Sequence, residues 1–565
     1  MTEPAIPHER IFRTVVISGL EPPMIWRLTD RLNQEAGGVR VEGVLHEVLV
    51  PRPFGWRVRN VLRNVYRPAY LEYVLSRTFR GLRASTARAG HRFLRWAHAA
   101  PQAPNPDPDI DLDELRRRLQ AAGARLHVTS NPHDDESIAF VRSLEPDLGI
   151  VYGTRILKPV LFDIPTRGSI NIHKRKVPDY RGGGAIGLWE LLDDQKEIGV
   201  TVHRVAVKLD AGDVVAAATI PIETFDDLDS LGLKADLLGE DLLVRAARDF
   251  ASQSVNAVPQ SGTGRMFKTP SMLQMRRYER QLRQRRLRFR PGRTRPLWKL
   301  LLRTVVYGPG RIRRNRSYRE RNAFPVIMLY HHVITDRPHT MGMSTAQFDR
   351  QVRFLSRHYR IASLPDALEM LRSGRVDAPT VVLTFDDGYA DNFLNVRAVL
   401  EPLGLSATFF VCSDHLTNGT KFAHDLKAGD RDFAPMTWEQ VATMRRRGFV
   451  FGSHTRTHFD CGSTDGEKLR DEICGAGREL ERRLGEGVPY FSFPWGQPGN
   501  MSAEAVTIAK DSYRYVFSAC GGANHPGQPG RWHFLRHSHP DGLLELELTL
   551  QSILELSPAG EKLPF

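Results

Sequence analysis

At 565 residues, with 41% apolar and 25% charged side chains, the chain exceeds what one hydrophobic core usually supports, so two or more folded domains are expected and a collagen-like or disordered class is excluded. The net charge of +14 is concentrated: Arg276 to Arg319 carries 17 Lys and Arg against one acid, Glu279, and Arg52 to Arg95 carries 11 Arg against Glu72. Cys412, Cys461, Cys474 and Cys520 show no C-x-x-C spacing, which suits a reducing compartment. With no signal-peptide pattern and no apolar run of about 18 residues, the expected location is cytoplasmic.

In chain order, "RTVVISGL" (13–20) reads as a buried strand ended by a Gly turn, and "VRVEGVLHEV" as a second. "DLDELRRRLQAAGARLHVT" and "SIAFVRSLEPDLGIVYG" each read as a helix feeding a strand. This alternation predicts an α/β fold with a mainly parallel sheet. Near residue 265 the texture becomes arginine-rich, and from Pro325 a new strand-helix alternation starts with "PVIMLYHHV". The expected domains are 1–265, an arginine-rich linker over 266–322, and 323–565.

In "SINIHKRKVPDYRGGG" (169–184), strict alternation places Ser169, Asn171 and His173 on one face of a strand. Asn171 can donate to a developing oxyanion and His173 can take a proton from an attacking amine. "TVHRVAVKLDAGDVV" adds His203 on a strand and Asp210 in a turn with Gly212, a carboxylate able to orient His173. The run N-x-H, P-x-Y-R-G-G, G-V-T-V-H, L-D-x-G-D resembles the folate-dependent formyltransferases, over about 13–250. The resemblance implies a Rossmann-like domain with Asn171, His173 and Asp210 as catalytic triad and His203 in support. It implies 10-formyltetrahydrofolate as co-substrate, held by the strand and loop "PDLGIVYGTRIL" through Gly153, Arg155, Ile156 and Leu157. Lys174 and Arg175 stand where that family has Pro and Ser, next to the acceptor.

"LTFDDGYADN" (383–392) sets Asp386 and Asp387 side by side at a strand end, as a working pair or as an Asp-Gly turn. "FGSHTRTHFD" offers His454 and His458, whose i, i+4 spacing predicts two imidazoles on one side of a helical turn. One Asp and two His leave open positions on an ion, which suits catalysis, and Asp386 is then free to act as general base. In this order the motifs resemble the polysaccharide deacetylases, metal-dependent carbohydrate esterases, over about 325–545. The resemblance implies a distorted (β/α) barrel, Asp386 as base, and Asp387, His454 and His458 as ligands of a divalent ion, commonly zinc. It also implies the Trp495 backbone N–H as oxyanion support and His537 as general acid. In "FSFPWG", Ser492 stands two residues before the proline, where the family has an arginine that orients the catalytic aspartate, although members with a small residue there are also familiar.

Together these expectations describe a bifunctional bacterial enzyme of amino sugars on a nucleotide or lipid carrier. One domain hydrolyses an N-acyl group, acetyl or formyl, and the other formylates an amine. Two alternatives stay open: a formyltransferase with a non-catalytic, carbohydrate-binding barrel, and a tRNA formyltransferase. The Arg-rich segments, interleaved with apolar residues, read as peripheral contacts to an anionic inner-membrane face. RNA binding or a solvated linker would give a similar pattern, but nucleic acid is not the expected partner.

Overall fold

The structure is a computed structural model that describes residues 11–48, 110–262, 264–267, 270–288, 297–430, 432–528 and 530–551. The basic stretch from Arg52 to Arg95 lies outside these residues. The chain divides into two compact units, one holding the described residues up to Arg288 apart from Glu223–Phe225, and one holding those three and the described residues from Leu297 on.

The first unit is a seven-stranded sheet in the order β3-β2-β1-β4-β5-β7-β8. Its strands are β1 (Phe12–Ser18), β2 (Val39–Glu47), β3 (Arg125–Thr129), β4 (Leu148–Tyr152), β5 (Ser169–His173), β7 (Glu197–Arg204) and β8 (Val214–Pro221). A short ribbon of β6 (Tyr180–Gly182) and β9 (Arg265–Phe267) stands apart. The first five strands of the sheet pair in parallel, whereas β5-β7 and β7-β8 are antiparallel. Strand order reverses between β1 and β4, the crevice where doubly wound folds take ligands. The helix Leu228–Ala251, started by a capping box of Asp227 and Ser230, packs on this sheet. A Cβ on Gly239 of this helix would lie 1.9 Å from Ile172 Cδ1, so the helix passes close over β5.

The second unit is a closed parallel barrel of seven strands. β10 (Val326–His331), β19 (His533–Ser538), β18 (Tyr515–Ser518), β17 (Tyr490–Ser492), β16 (Val450–Ser453), β15 (Thr408–Val411) and β14 (Thr380–Phe385) follow one another, and β14 pairs back onto β10. β13 (Arg360–Ile361) flanks β14, and β11 (Val333–Ile334) pairs with β12 (Gly342–Met343). Being parallel and covered, β14 (TVVLTF) is buried at every residue. Met328, Val382, Phe410, Phe517 and Phe534 form one core cluster, and Phe385, Phe409 and Phe451 belong to another with the surrounding helices.

The arginine-rich stretch is helical where described, as Met272–Arg288 and Leu297–Arg321. No described helix is long and apolar enough to cross a membrane. All four cysteines are free thiols.

Candidate active sites

In the first unit, β5 and β7 pair so that Asn171 lies opposite His203. His203 Nδ1 sits 2.8 Å from the Arg204 carbonyl, which only accepts, so Nδ1 carries the proton and Nε2 accepts from Asn171 Nδ2 at 3.3 Å. This orients the amide and leaves its second N–H for a ligand. Asp210, at φ +49°, places Oδ2 3.6 Å from His173 Nδ1 and Oδ1 3.7 Å from His203 Nε2. The Gly182 N–H donates to Asp210 Oδ2 at 3.1 Å, and Gln260 donates to its carbonyl. His173 Nε2 donates to the Tyr180 carbonyl at 2.8 Å, so its lone pair is at Nδ1, facing Asp210. Burial lowers the pKa of both histidines, against the pull of Asp210.

The four residues expected to hold the folate sit at the end of β4 and in the following loop. The Gly153 carbonyl accepts from the Gly19 N–H at 3.0 Å, joining the loops after β4 and β1 at the crevice. Arg155 is bound to buried Glu47 and to the Ser130 carbonyl, so its guanidinium is already engaged. The Ile156 side chain is exposed, and the Leu157 side chain is part of the apolar core.

In the second unit, Asp386 continues the register of β14, on the face of Val382 and Thr384. The next residue would point away, but Asp387 takes φ +69° and the alternation breaks. The adjacent aspartates can therefore serve one centre in different ways. Asp387 Oδ1 lies 3.2 Å from His458 Nε2 and 3.6 Å from His454 Nε2. The helical turn expected for His454 and His458 is absent: the segment after β16 is a loop, with Thr455 at φ +65° and His458 at φ +58° bringing the second imidazole back. His454 Nδ1 donates to the Ser492 carbonyl at 2.7 Å, leaving the Nε2 lone pair aimed at Asp387. The Trp495 ring stands edge-on to His458, centroids 4.4 Å apart.

Both carboxylate oxygens of buried Asp387 have no hydrogen bond. Burial pushes its carboxyl up, but His458, 3.2 Å from Oδ1, and His332 hold it well below the usual range. Burial keeps His454 neutral, its pKa lowered to about 4. A buried carboxylate met by the Nε2 atoms of two imidazoles, one of them, His454, with its lone pair fixed there, is a donor set that fits a divalent ion. A second group, His339, Asp425 and Asp430, does not. His339 Nδ1 accepts from the Met341 N–H, so Nε2 carries the proton and donates to Asp425 at 3.1 Å, and Tyr389 donates to the other oxygen. That group is a hydrogen-bonded support beneath the loop of Asp387.

Two residues of this site went unassigned in the sequence. Arg536, fully buried on β19, donates from Nη1 to Asp386 Oδ1 at 2.6 Å and from Nη2 to Oδ2 at 2.8 Å. Nη2 also donates to Ser492 Oγ at 2.6 Å and Nη1 to Thr384 Oγ1 at 3.1 Å. Burial raises the Asp386 carboxyl, and the charge and hydrogen bonds of Arg536 outweigh it, leaving its pKa lowered. His332 follows β10, whose His331 pairs with Phe385, and it is among the groups that lower the pKa of both aspartates. The only cue to His332 in the sequence was the doubled histidine of "LYHHV". His537 is not brought to this group: next to Arg536 on a strand, it faces the other way, its Nδ1 on the Ser538 carbonyl.

A family model for formyl transferase matches residues 108–247, and one for polysaccharide deacetylase matches 373–515. The chain is a fusion of a formyl transferase domain with a polysaccharide deacetylase domain. Among relatives of the formyl transferase domain is a methionyl-tRNA formyltransferase of Listeria monocytogenes, 38% identical over 120 residues, which are 21% of this chain and 38% of the relative. Another, from Macrococcus caseolyticus, is 32% identical over 150 residues, 26% of this chain and 48% of the relative. The chain thus spans about two-fifths to half the length of these relatives. Among solved structures, the Streptococcus pyogenes deacetylase PplD in complex with acetate aligns at 18% identity and TM-score 0.35, covering 40% of this chain and 98% of that one. A sugar N-formyltransferase from a Shewanella species aligns at 14% identity and TM-score 0.28, covering 46% and 77%.

Proposed function

We propose that the deacetylase domain hydrolyses an N-acyl group on an amino sugar and that the formyl transferase domain formylates the amine so exposed. The observation that carries the hydrolytic half is the buried Asp387 carboxylate, without a hydrogen bond and faced by His454 and His458. These three residues would hold a divalent ion, which when bound polarises the acyl carbonyl and acidifies water. Asp386 takes the proton of the attacking water, and the Trp495 N–H stabilises the developing oxyanion. His332, beside both aspartates, delivers a proton to the leaving amine.

In the formyl transferase domain, the free N–H of Asn171 meets the oxyanion formed when the amine attacks the formyl group of 10-formyltetrahydrofolate. His173 accepts the amine proton at Nδ1, where Asp210 stabilises the charge it gains, and gives it to N10 as the bond to the formyl carbon breaks and tetrahydrofolate leaves. Gly153, Arg155, Ile156 and Leu157 line the folate site through their backbone more than their side chains. The order is set by chemistry, since the transferase consumes a free amine and the hydrolase makes one.

Trp298, Leu302 and Val305, at 63%, 57% and 75% exposure, fall at helical spacing on the arginine-rich helix Leu297–Arg321. This supports peripheral attachment to an anionic membrane surface and a lipid-linked substrate. A different acceptor is favoured by the relatives' names, and methionyl-tRNA is the second reading.

The deciding experiment is mass spectrometry of the full chain with a divalent metal, 10-formyltetrahydrofolate, and a panel of nucleotide-linked, lipid-linked and oligomeric N-acetylated sugars, their free amines, and methionyl-tRNA. Conversion of an acetylated sugar to its formylated form supports the reading. Formylation of methionyl-tRNA alone overturns it in favour of the second.

A further inference from the structure

Ser492 stands on β17 where many polysaccharide deacetylases carry an arginine that orients the catalytic aspartate, and here an arginine reaches that carboxylate from β19. We propose that Arg536 has taken over that positioning role, making the hydrolase complete despite its broken motif. This rests on the hydrolytic reading above.

The geometry is that of a dedicated clamp. The two terminal nitrogens of Arg536 meet the two oxygens of Asp386 in parallel, at 2.6 and 2.8 Å, a fork that fixes the plane of the carboxylate as no ammonium can. The remaining terminal N–H groups end on Thr384 Oγ1 and Ser492 Oγ. The guanidinium lies over the Phe410 ring, 4.9 Å from its centroid, so it cannot drift without losing this contact. The small side chain at 492 leaves the space that the guanidinium occupies and accepts a hydrogen bond from it. Through its own carbonyl, Ser492 also holds His454 Nδ1. One residue therefore ties the arginine of the base to a residue facing Asp387. A guanidinium buried this deeply, without the Asp386 carboxylate, would be an uncompensated charge, so positions 386 and 536 should behave as a unit.

The test uses the full-length protein loaded with zinc and the acetylated sugar panel, with Arg536→Ala, Arg536→Lys, and the exchange Ser492→Arg with Arg536→Ser. Arg536→Ala is expected to lower kcat about 10- to 100-fold, the usual cost of removing such a support, with KM and bound zinc unchanged. Arg536→Lys stays impaired, and the exchange, which returns the arginine to β17, regains most of the lost rate. Retention of more than half of kcat by Arg536→Ala overturns the proposal, as does an exchange no better than Arg536→Ala. A loss of zinc in proportion to rate makes the residue merely structural and also overturns it. If the wild type hydrolyses nothing on the panel, the hydrolytic reading falls, and thermal unfolding of Arg536→Ala, Asp386→Asn and their double variant decides. Non-additive midpoints then support the clamp, and additive ones overturn it.

Discussion

The Nδ1–H of His454 is given to the Ser492 carbonyl at 2.7 Å, which fixes the tautomer and leaves Nε2 as the nitrogen facing Asp387. A donor set pre-oriented in this way should bind one divalent ion per chain. His454→Ala and Asp387→Ala are expected to abolish stoichiometric zinc by elemental analysis, and with it the rise in unfolding temperature on adding zinc. Asp386→Asn should keep the zinc and lose hydrolysis by about 100-fold or more, the scale of a general base.

The two activities are expected to separate cleanly. Chelation of divalent ions stops hydrolysis and leaves formylation of a free amine intact. Conversely, His173→Ala and Asn171→Ala lower formylation by about 100-fold or more and leave hydrolysis at the wild-type rate. Loss of both activities on chelation would show that the first unit also depends on an ion.

Residues placed by local alternation were legible in the sequence: the polar row of β5, the sequence LTFD of β14, and the Asp210 turn all stand where period and turn chemistry put them. Placement by the left-handed backbone was not. Thr455 and His458 are not glycines, and nothing in "SHTRTH" announces that both adopt positive φ, so the i, i+4 spacing predicts a helical turn where the chain forms a loop. Arg536 was hidden for a different reason: barrel closure lets β19 serve a carboxylate on β14, 150 residues earlier in the chain. Its one local cue is an arginine on the same strand face as Phe534, a position that would otherwise be apolar. His537 drew attention by residue type, and strand alternation turns it away.

Metal-free protein should lose stability in mild acid. Burial lowers His331, His454 and His533 to about 4 each, below the usual histidine value. Between about pH 6.5 and 4 the unfolded chain therefore binds protons that the folded chain refuses. Stability is present above the unfolded pKa, falls with pH through that window, and levels off below it, each group contributing up to about 1.4 kcal/mol per pH unit. Urea unfolding of chelated protein at several pH values checks this. His533→Gln, which can still bond Ser518 Oγ, should flatten the slope, and an unchanged slope would count against a neutral buried His533.

The proton donor can be assigned by comparing two histidines. His332→Ala is expected to lower hydrolysis at least about 10-fold, because the imidazole stands near enough to both aspartates to lower their pKa. His537→Ala should stay within about 2-fold of wild type, within the effect of an ordinary surface change. The reverse pattern would mean that β19 turns over in the working enzyme, which would also expel Arg536 from Asp386.

The turn of Asp210 offers a test that substitutes none of the reacting side chains. A Cβ on Gly212 would lie 1.9 Å from the Arg204 carbonyl oxygen, a backbone atom that cannot step aside without moving β7. Gly212→Ala should therefore displace Asp210 and His203 together, at a cost of about 1–3 kcal/mol to the first unit. Formylation should fall through kcat, because the carboxylate that stabilises protonated His173 is misplaced, while hydrolysis by the other unit is unchanged. Wild-type formylation by Gly212→Ala would show that the placement of Asp210 is not what sets the rate.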